Sequence, residues 1–184
     1  MKGKHRPRIY TVGHSNRPFP EFLALLAAHG VTQIADVRTV PRSQHNPQFN
    51  ESRLARMLPK HGIAYERIEL LGGWRRAKPD SKNLGWKNTS FRGYADYMAT
   101  PEFKKGLAEL ERLARKQPTA VMCAEAVPWR CHRSLIADAL LVGGWEVHDL
   151  MSATNAPKHK RTPFLRVRSG ELTYPRADGM KPLL

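Results

Sequence analysis

The sequence has few of the features that mark secreted or membrane proteins. Cys123 and Cys131 are the only cysteines among its 184 residues, which is too few for a disulfide-stabilised scaffold. No apolar run approaches the length of about 18 residues that a membrane-spanning helix needs. No apolar stretch follows the basic residues 1–8, so the sequence predicts no secretory signal. Together these absences favour a cytoplasmic protein without a membrane segment.

Acidic residues are also scarce compared with basic ones. The chain contains 16 Asp and Glu but 31 Lys and Arg, which gives a formal net charge of +15. Such an excess attracts polyanions, so the composition indicates an anionic small molecule or a nucleic acid as the partner. A basic protein without such a partner is the alternative. The sequence does not indicate an oligomeric state.

Short apolar segments alternate with amphipathic helical patterns along the chain. The predicted strands cover residues 9–12, 31–37, 63–68, 119–122 and 145–150. This alternation is typical of an α/β fold, here a three-layer, mostly parallel five-stranded sheet with helices on both faces. Residues 164–174, with Ser169-Gly170 at their centre, predict a small C-terminal hairpin.

The chain length suits one α/β domain. We predict a basic N-terminal arm at residues 1–8, a single domain at 9–168 and a C-terminal tail at 169–184. A long irregular stretch within the domain, residues 70–92, is basic and contains two tryptophans. Such a loop either stacks nucleobases and holds phosphates, or forms a lid whose rings pack on the core.

Polar motifs follow three of the predicted strands. They are GHSN at 13–16, DVR at 36–38 and the stretch from Cys123 to Arg133. The carboxyl ends of parallel strands lie at one edge of a sheet, and ligands bind at that edge in open α/β folds. We therefore expect the three motifs to form one pocket.

Five residues of these motifs are catalytic candidates because their side chains transfer protons or act as nucleophiles. They are His14, Asp36, Glu125, Cys131 and His132. Cys131 lies near a helix start beside basic residues, which favours the thiolate form that a nucleophile needs. Glu125 would be a general acid or base if it is partly desolvated. The structural alternatives are a salt bridge between Asp36 and Arg38, and Cys123 as a small apolar residue ending a strand.

Nine further residues are candidates for binding the substrate. They are Gly13, Ser15, Asn16, Arg38, Ser43, Arg92, Tyr94, Arg130 and Arg133. Gly13 permits close approach of a backbone, whereas Ser15 and Asn16 equally fit a simple turn. Arg133 is favoured for anion binding because a planar guanidinium matches phosphate and carboxylate.

The sequence does not identify a cofactor, and we predict no metal ligand. The residues Cys123, Glu125, Cys131 and His132 are of types that bind zinc. Their spacing, C-x-E-x5-C-H, matches no paired-ligand template. A disulfide between the two cysteines would require that they approach each other.

Five groups of residues, taken in order, carry a family resemblance. They are Tyr10 to Asn16; Asp36-Val37-Arg38 with Pro41 and Ser43; Phe91 to Ala95; Cys123-Ala124-Glu125 with Pro128 and Cys131-His132-Arg133; and His159 with Thr162-Pro163-Phe164. Over residues 9–168 the chain resembles a bacterial family known as domain of unknown function 488. The resemblance implies an α/β fold and a cytoplasmic bacterial setting, and it makes the motif residues site candidates without assigned roles.

A weaker similarity is to rhodaneses. Asp36-Val37-Arg38 after a strand, and a cysteine between a later strand and a helix, resemble that fold. In rhodaneses a short run between the cysteine and the helix binds the anion. Here Cys123 is followed by Glu125, which would repel an anion, and by Pro128. This departure argues against sulfur transfer.

Three functions are open on this reasoning. The favoured one is an enzyme that acts on a nucleotide or nucleic acid, with arginines binding phosphate and with Glu125 and His14 transferring protons. The second is a non-catalytic nucleic-acid binding module that uses the basic surface and the 72–92 loop. The third is a cysteine-dependent sulfur-transfer or redox enzyme in which Cys131 is the nucleophile.

Overall fold

The fold is described for residues 6–176 of a computed structural model. The strands are β1 Arg8–Gly13, β2 Gln33–Asp36, β3 Ala64–Arg67, β4 Thr119–Cys123, β5 Glu146–Leu150, β6 Arg166–Arg168 and β7 Glu171–Thr173. The helices are α1 Phe19–Ala28, α2 Glu51–Met57, α3 Thr89–Tyr97, α4 Pro101–Lys116 and α5 Arg133–Val142. Residues 1–5 of the predicted arm and 177–184 of the predicted tail lie outside the described residues.

The first five strands form one parallel sheet in the order β3-β2-β4-β1-β5. The last two strands, β6 and β7, form a separate antiparallel hairpin around Ser169 and Gly170. Both residues of this turn have positive φ, as the short connection requires. The prediction of a five-stranded α/β sheet with a small C-terminal hairpin is confirmed.

Helices cover both faces of the sheet, and each face has its own apolar core. On one face, Phe22 and Leu26 of α1 and Leu54 of α2 pack against Ile34 and Met122 of the sheet. The core on the other face contains Tyr94 of α3, Leu110 of α4, Leu135 and Ile136 of α5, and Ala35, Val121 and Val147 of the sheet. Strands buried on both faces need nearly continuous apolar residues, which explains the burial of all five residues of β4.

Two helices differ from their sequence patterns at one end. The pattern predicts a first helix from about Glu21, but α1 begins at Phe19 because Pro20 fits the first helical turn. The predicted helix ending near His61 divides into α2 and a 3₁₀ turn, Leu58–His61, which contains a proline. Gly62 ends this turn in the left-handed region with φ of 72°, where glycine has no Cβ penalty.

The long loop before α3 is held in place by one buried carboxylate. Asp96 of α3 accepts hydrogen bonds from the backbone of Lys78, the hydroxyl of Ser81 and the amide of Asn83. Trp86 of this loop packs in the core against Phe164, with ring centroids 5.0 Å apart. Of the two alternatives that the sequence left open for this loop, Trp86 therefore fits the one in which the ring packs on the core.

The end of the described chain also packs on the core. Tyr174, in the segment predicted as a tail, is fully buried and donates its hydroxyl to Asp138 of α5 at 3.0 Å. Within residues 6–176, no helix is both long enough and apolar enough to cross a membrane.

Three strand ends carrying polar motifs are neighbours in the sheet. β4 lies between β1 and β2, with Gly13 paired to Cys123 and Asp36 paired to Met122. The residues that follow these strands consequently emerge side by side at one edge.

Candidate functional site

The cavity at this edge of the sheet lies where β4 ends. It has a volume of about 380 Å³, and we call it the thiol cavity. Its lining residues are Arg38, Thr39, Val40, Gly73, Trp74, Asn88, Ser90, Phe91, Cys123, Ala124, Glu125, Arg130, Cys131 and His132. It therefore brings together five of the predicted site residues: Arg38, Glu125, Arg130, Cys131 and His132.

Both cysteines and one histidine meet in the wall of this cavity. The ring nitrogen Nδ1 of His132 lies 3.6 Å from Sγ of Cys131 and 4.0 Å from Sγ of Cys123. One ligand atom from each of the three residues lies within 4.8 Å of the others. Both thiols are free and buried, with 7% of Cys123 and 3% of Cys131 exposed. The two cysteines do approach each other, which the sequence alone left open.

The orientation of His132 follows from its second nitrogen. Nε2 lies 3.0 Å from the backbone carbonyl of Val37, so Nε2 carries the proton and donates it to that oxygen. In this tautomer Nδ1 presents a lone pair to the two sulfurs. Gly73 packs directly against this ring, because a Cβ built at Gly73 would lie 2.4 Å from Nδ1. Tyr94 tilts against the other side, with ring centroids 4.9 Å apart.

The pKa values of the two thiols are shifted in opposite directions. A hydrogen bond from the Cys131 thiol holds the pKa of Cys123 well below its ordinary value, although burial acts in the other direction. Burial raises the pKa of Cys131 well above its ordinary value. The contact between the two buried sulfurs therefore favours Cys123 as the more acidic thiol, whereas the sequence pattern favoured Cys131. Backbone N–H of Arg133 also approaches the Cys131 sulfur at 3.5 Å.

The same three residues have the donor set of a metal site. Two cysteine sulfurs and one imidazole nitrogen are zinc ligands, and three such ligands leave a fourth position for water or substrate. The hydrogen bond from Nε2 of His132 to a backbone carbonyl is the support that metal-binding histidines usually have. The spacing along the sequence gave no template for this set, since it is assembled from a strand end and a helix start.

Asp36 and Arg38 form a closed, buried network. The Asp36 carboxylate is fully buried and accepts hydrogen bonds from the backbone and the guanidinium of Arg38 at 3.0 and 2.9 Å. The hydroxyl of Tyr65 donates to it at 2.7 Å. Arg38 also donates to the carbonyl of Phe49 and lies 3.2 Å from Nε2 of His14. Asp36 is thus the counterion of Arg38, the structural alternative in the sequence reasoning.

His14 lies on the other side of Arg38 and lines a second cavity of about 340 Å³. Its lining residues are His14, Ser15, Asn16, Arg38, Val40, Arg42, Ser43, Asn46, Ala124 and Glu125. The imidazole is stacked on Phe49 at 4.3 Å, and its Nδ1 lies 2.8 Å from the carbonyl of Ser15. Burial lowers the pKa of His14, and the charge of Arg38 lowers it further. Glu125 is exposed and lines both this cavity and the thiol cavity.

Arg133 and Gly13 hold the loop that carries Glu125. The buried guanidinium of Arg133 donates to the carbonyls of Glu125 and Ala126 at 2.6 and 3.1 Å. A Cβ built at Gly13 would lie 1.8 Å from the carbonyl oxygen of Glu125, so only glycine fits there. β4 stops at Cys123, and Glu125 therefore does not share a strand face with it. Arg133 supports the loop from below instead of facing either cavity.

Two other predicted substrate-binding residues lie away from both cavities. Arg92 donates to the backbone carbonyl of Trp86 at 2.9 Å. Tyr94 is fully buried and donates its hydroxyl to the carbonyl of Leu71 at 2.9 Å. Both side chains brace the long loop against α3. Arg130, by contrast, is exposed and has no guanidinium hydrogen bond or ion pair within residues 6–176.

Several lining residues had no signal in the sequence. Gly73 and Trp74 come from the long loop, and Asn88 and Ser90 come from the start of α3. Their side chains reach the cavity only because the loop folds back over the carboxyl end of β4. The double glycine Gly72-Gly73 was visible in the sequence, but nothing there linked it to His132.

Comparison with known proteins identifies a family but no characterised relative. Residues 18–140, more than half of the chain, match the family model described as Domain of unknown function DUF488. The match includes the DVR motif and the stretch from Cys123 to Arg133, whereas GHSN and His159 lie outside it. No curated protein and no solved structure matches the chain significantly. The chain therefore belongs to the family described as Domain of unknown function DUF488.

Proposed function

We propose that this protein is a cysteine-dependent enzyme in which Cys123 attacks a small anionic substrate bound in the thiol cavity. One observation carries the proposal. Cys123 ends a central strand in the wall of a cavity, with the Cys131 sulfur and a His132 ring nitrogen within 4.8 Å. A thiolate stabilised by a neighbouring S–H donor is the form of cysteine that acts as a nucleophile.

The proposed reaction is a two-step hydrolysis. The Cys123 thiolate bonds to the electrophilic atom of the substrate, and the bond between that atom and the leaving group breaks. The leaving group departs with the electron pair and takes a proton from water at the cavity mouth. A second water loses a proton to Glu125, cleaves the bond to sulfur and regenerates the thiolate. Glu125 then returns this proton to the hydroxide that the first water became, so the enzyme is restored. Cys131 keeps its proton throughout, because its S–H stabilises the thiolate in both the initial and the final state.

The anionic character of the substrate rests mainly on Arg130. It is exposed in the lining of the thiol cavity, and its guanidinium is available to a ligand. The net charge of +15 draws anions toward the whole surface. A volume of about 380 Å³ suits a small molecule, since ligand pockets usually measure about 300–1,000 Å³.

Alkylation of the native protein with two reagents tests the proposal without knowledge of the substrate. Iodoacetate is anionic and iodoacetamide is neutral, and peptide mass spectrometry locates the modified cysteine. We expect both reagents to modify Cys123 at least about 10-fold faster than Cys131 at neutral pH. Arg130→Gln should slow iodoacetate about 3- to 10-fold and leave iodoacetamide within about 2-fold. The control is Arg56→Gln, an exposed arginine of α2 outside the thiol cavity.

Two results would overturn this proposal. Faster modification of Cys131 than of Cys123 would remove the assigned nucleophile. Equal slowing of both reagents by Arg130→Gln, or slowing of iodoacetate by Arg56→Gln as well, would remove the assigned anion contact.

A zinc centre with the same three ligands is a second candidate, favoured by the lone pair that Nδ1 of His132 directs at both sulfurs. Zinc would hold both cysteines as thiolates and would protect both from alkylation. Metal analysis of protein purified without chelator distinguishes the candidates. One zinc per chain, with both cysteines unreactive until a chelator is added, favours the metal centre. A zinc-free protein with reactive Cys123 favours the nucleophile.

A further inference from the structure

A larger cavity shares the Pro128–Arg130 turn with the thiol cavity. This tryptophan cavity has a volume of about 570 Å³ and a mostly apolar lining. Its lining residues are Trp86, Pro128, Trp129, Ser134, Asp149, Pro157, Lys158, His159, Lys160, Thr162, Pro163 and Phe164. The His159-to-Phe164 motif singled out in the sequence thus lines a cavity that the proposed thiol chemistry does not use.

Two buried polar atoms in this lining have no partner within residues 6–176. They are Nε1 of Trp86 and Nε2 of His159. Their side chains are only 6% and 7% exposed, so water has little access to them. A buried polar group without a hydrogen bond costs free energy, so a ligand that completes the bond to either side chain gains affinity.

The ring of His159 is held rigidly in this wall. Nδ1 lies 2.9 Å from the carboxylate of Asp149, which also accepts a hydrogen bond from Thr11 at 2.7 Å. The backbone N–H of His159 donates to the carbonyl of Val147 in β5 at 2.8 Å. Because Nδ1 is engaged by this carboxylate, Nε2 is the ring nitrogen left for a further polar partner. Asp138, the carboxylate nearest to Nε2, lies 3.9 Å away.

We propose that the tryptophan cavity binds the base of a nucleotide. A nucleobase offers along one edge an acceptor for Nε1–H of Trp86 and a hydrogen-bonding partner for Nε2 of His159. Trp129, with 55% of its side chain exposed, supplies a ring on which a planar base stacks. Lys160 is exposed in the lining and neutralises the phosphate, and Lys158, whose Nζ lies 3.7 Å from Glu146, adds a second positive charge. This assignment goes beyond the proposed thiol chemistry and does not depend on it.

The chemistry of the cavity distinguishes a nucleotide from its parts. An aromatic pocket with two polar atoms selects the base, and the two lysines add affinity for the phosphate. The same unit occurs as a free mononucleotide and at the end of a nucleic-acid strand. Both sources present a base and a phosphate to this cavity, and they differ in the additional phosphates that a strand carries.

Isothermal titration calorimetry of the 184-residue protein tests the assignment. The ligands are AMP, GMP, CMP and UMP, with ribose 5-phosphate and adenosine as the separate halves and a pentanucleotide as the strand. We expect at least one mononucleotide to bind at or below about 1 mM, and both halves to bind about 10-fold more weakly. Tighter binding of the pentanucleotide identifies a strand as the source, and equal binding identifies the free nucleotide. Either result supports the site.

Two exposed tryptophans provide a matched pair of variants. Trp129→Ala should weaken nucleotide binding about 10-fold through the loss of stacking. Trp74→Ala removes a ring that is 77% exposed in the thiol cavity, and it should leave binding within about 2-fold. Lys160→Gln should weaken binding of the mononucleotide more than that of adenosine. None of these exposed side chains contributes to a buried core, so all three variants should fold.

Three results would overturn the assignment. One is the absence of binding by every mononucleotide and by the pentanucleotide. Another is binding of ribose 5-phosphate as tight as that of the nucleotides, which would indicate a phosphate site without base recognition. The last is loss of binding in Trp74→Ala with retention in Trp129→Ala, which would place the base in the thiol cavity.

Discussion

Two clusters of polar side chains meet at the same edge of the sheet and differ in what their polar atoms contact. In the Asp36–Arg38 cluster, the carboxylate and guanidinium are saturated by each other, by Tyr65 and by the carbonyl of Phe49. In the cluster of Cys123, Cys131 and His132, the two sulfurs and Nδ1 face one another in the wall of a cavity. The first cluster is a completed structure, and the second still has bonding capacity for a substrate or a metal.

The difference shows that a charged side chain at a strand end is not necessarily free to bind a ligand. A buried ion must be compensated, and the protein supplies the compensation from its own groups. Arg38 and Arg133 therefore orient backbone and side chains around the site. At the end of β4 the charge of the Cys123 thiolate is compensated mainly by the Cys131 thiol, so the cavity side of this cluster remains open to a ligand.

The largest expected effect is on the Asp36–Arg38 cluster. Asp36→Asn should lower the free energy of unfolding by about 3–5 kcal/mol, because Arg38 is left buried without its counterion. Urea denaturation measures the loss. Glu21→Gln is the matched control, since this exposed carboxylate pairs with Arg17 on the surface and should cost less than about 1 kcal/mol. Similar losses in both variants would contradict the distinction.

A smaller effect is expected at Gly73, which packs against His132 of the cluster formed by Cys123, Cys131 and His132. Gly73→Ala should cost about 1–3 kcal/mol, because its Cβ would lie 2.4 Å from Nδ1 of His132 and the ring must move. Alkylation of Cys123 should also slow, since a displaced His132 ring would crowd Sγ of Cys123, which lies 4.0 Å from Nδ1. Denaturation and labelling are compared with Gly143→Ala, whose Cβ would meet atoms no closer than 3.3 Å. An unchanged labelling rate in Gly73→Ala would separate His132 from the thiol.

The smallest expected effect is at His14, which lies beside Arg38 of the Asp36–Arg38 cluster. Burial lowers the pKa of His14, so below about pH 6.5 the unfolded chain binds a proton that the native protein does not. Native stability therefore falls as the pH falls through this range. His14→Asn should flatten the slope by up to about 1.4 kcal/mol per pH unit, measured by urea denaturation between about pH 5 and 7. His45→Asn, at an exposed position, should leave the slope unchanged.

The sequence was sufficient to predict the sheet and the convergence of its strand ends. Apolar segments of strand length set the five strands, and parallel topology placed GHSN, DVR and the Cys123 stretch at one edge. Thr100 and Pro101 are a residue pair typical of a helix start, and α4 begins there, with the Thr100 hydroxyl accepting from the backbone N–H of Phe103. These predictions succeed because they depend on local patterns and a general rule of connection.

The partners of the polar residues were not predictable in the same way. Whether Cys123 or Cys131 is the more acidic thiol depends on which sulfur donates to the other. The role of Gly73 depends on a loop that folds back across the site, which brings Gly73 against His132 although about sixty residues separate them in the chain. Such contacts join segments distant in sequence, and no periodicity or spacing encodes them.

The pH dependence of Cys123 alkylation by iodoacetamide, followed by peptide mass spectrometry, distinguishes a stabilised thiolate from an ordinary buried thiol. We expect the half-maximal rate at a pH well below the ordinary thiol value of about 8.5. In Cys131→Ala the midpoint should move upward, because the donor to the thiolate is lost. A midpoint at or above the ordinary value in the native protein, or the same midpoint in both proteins, would contradict the assignment of a stabilised thiolate to Cys123.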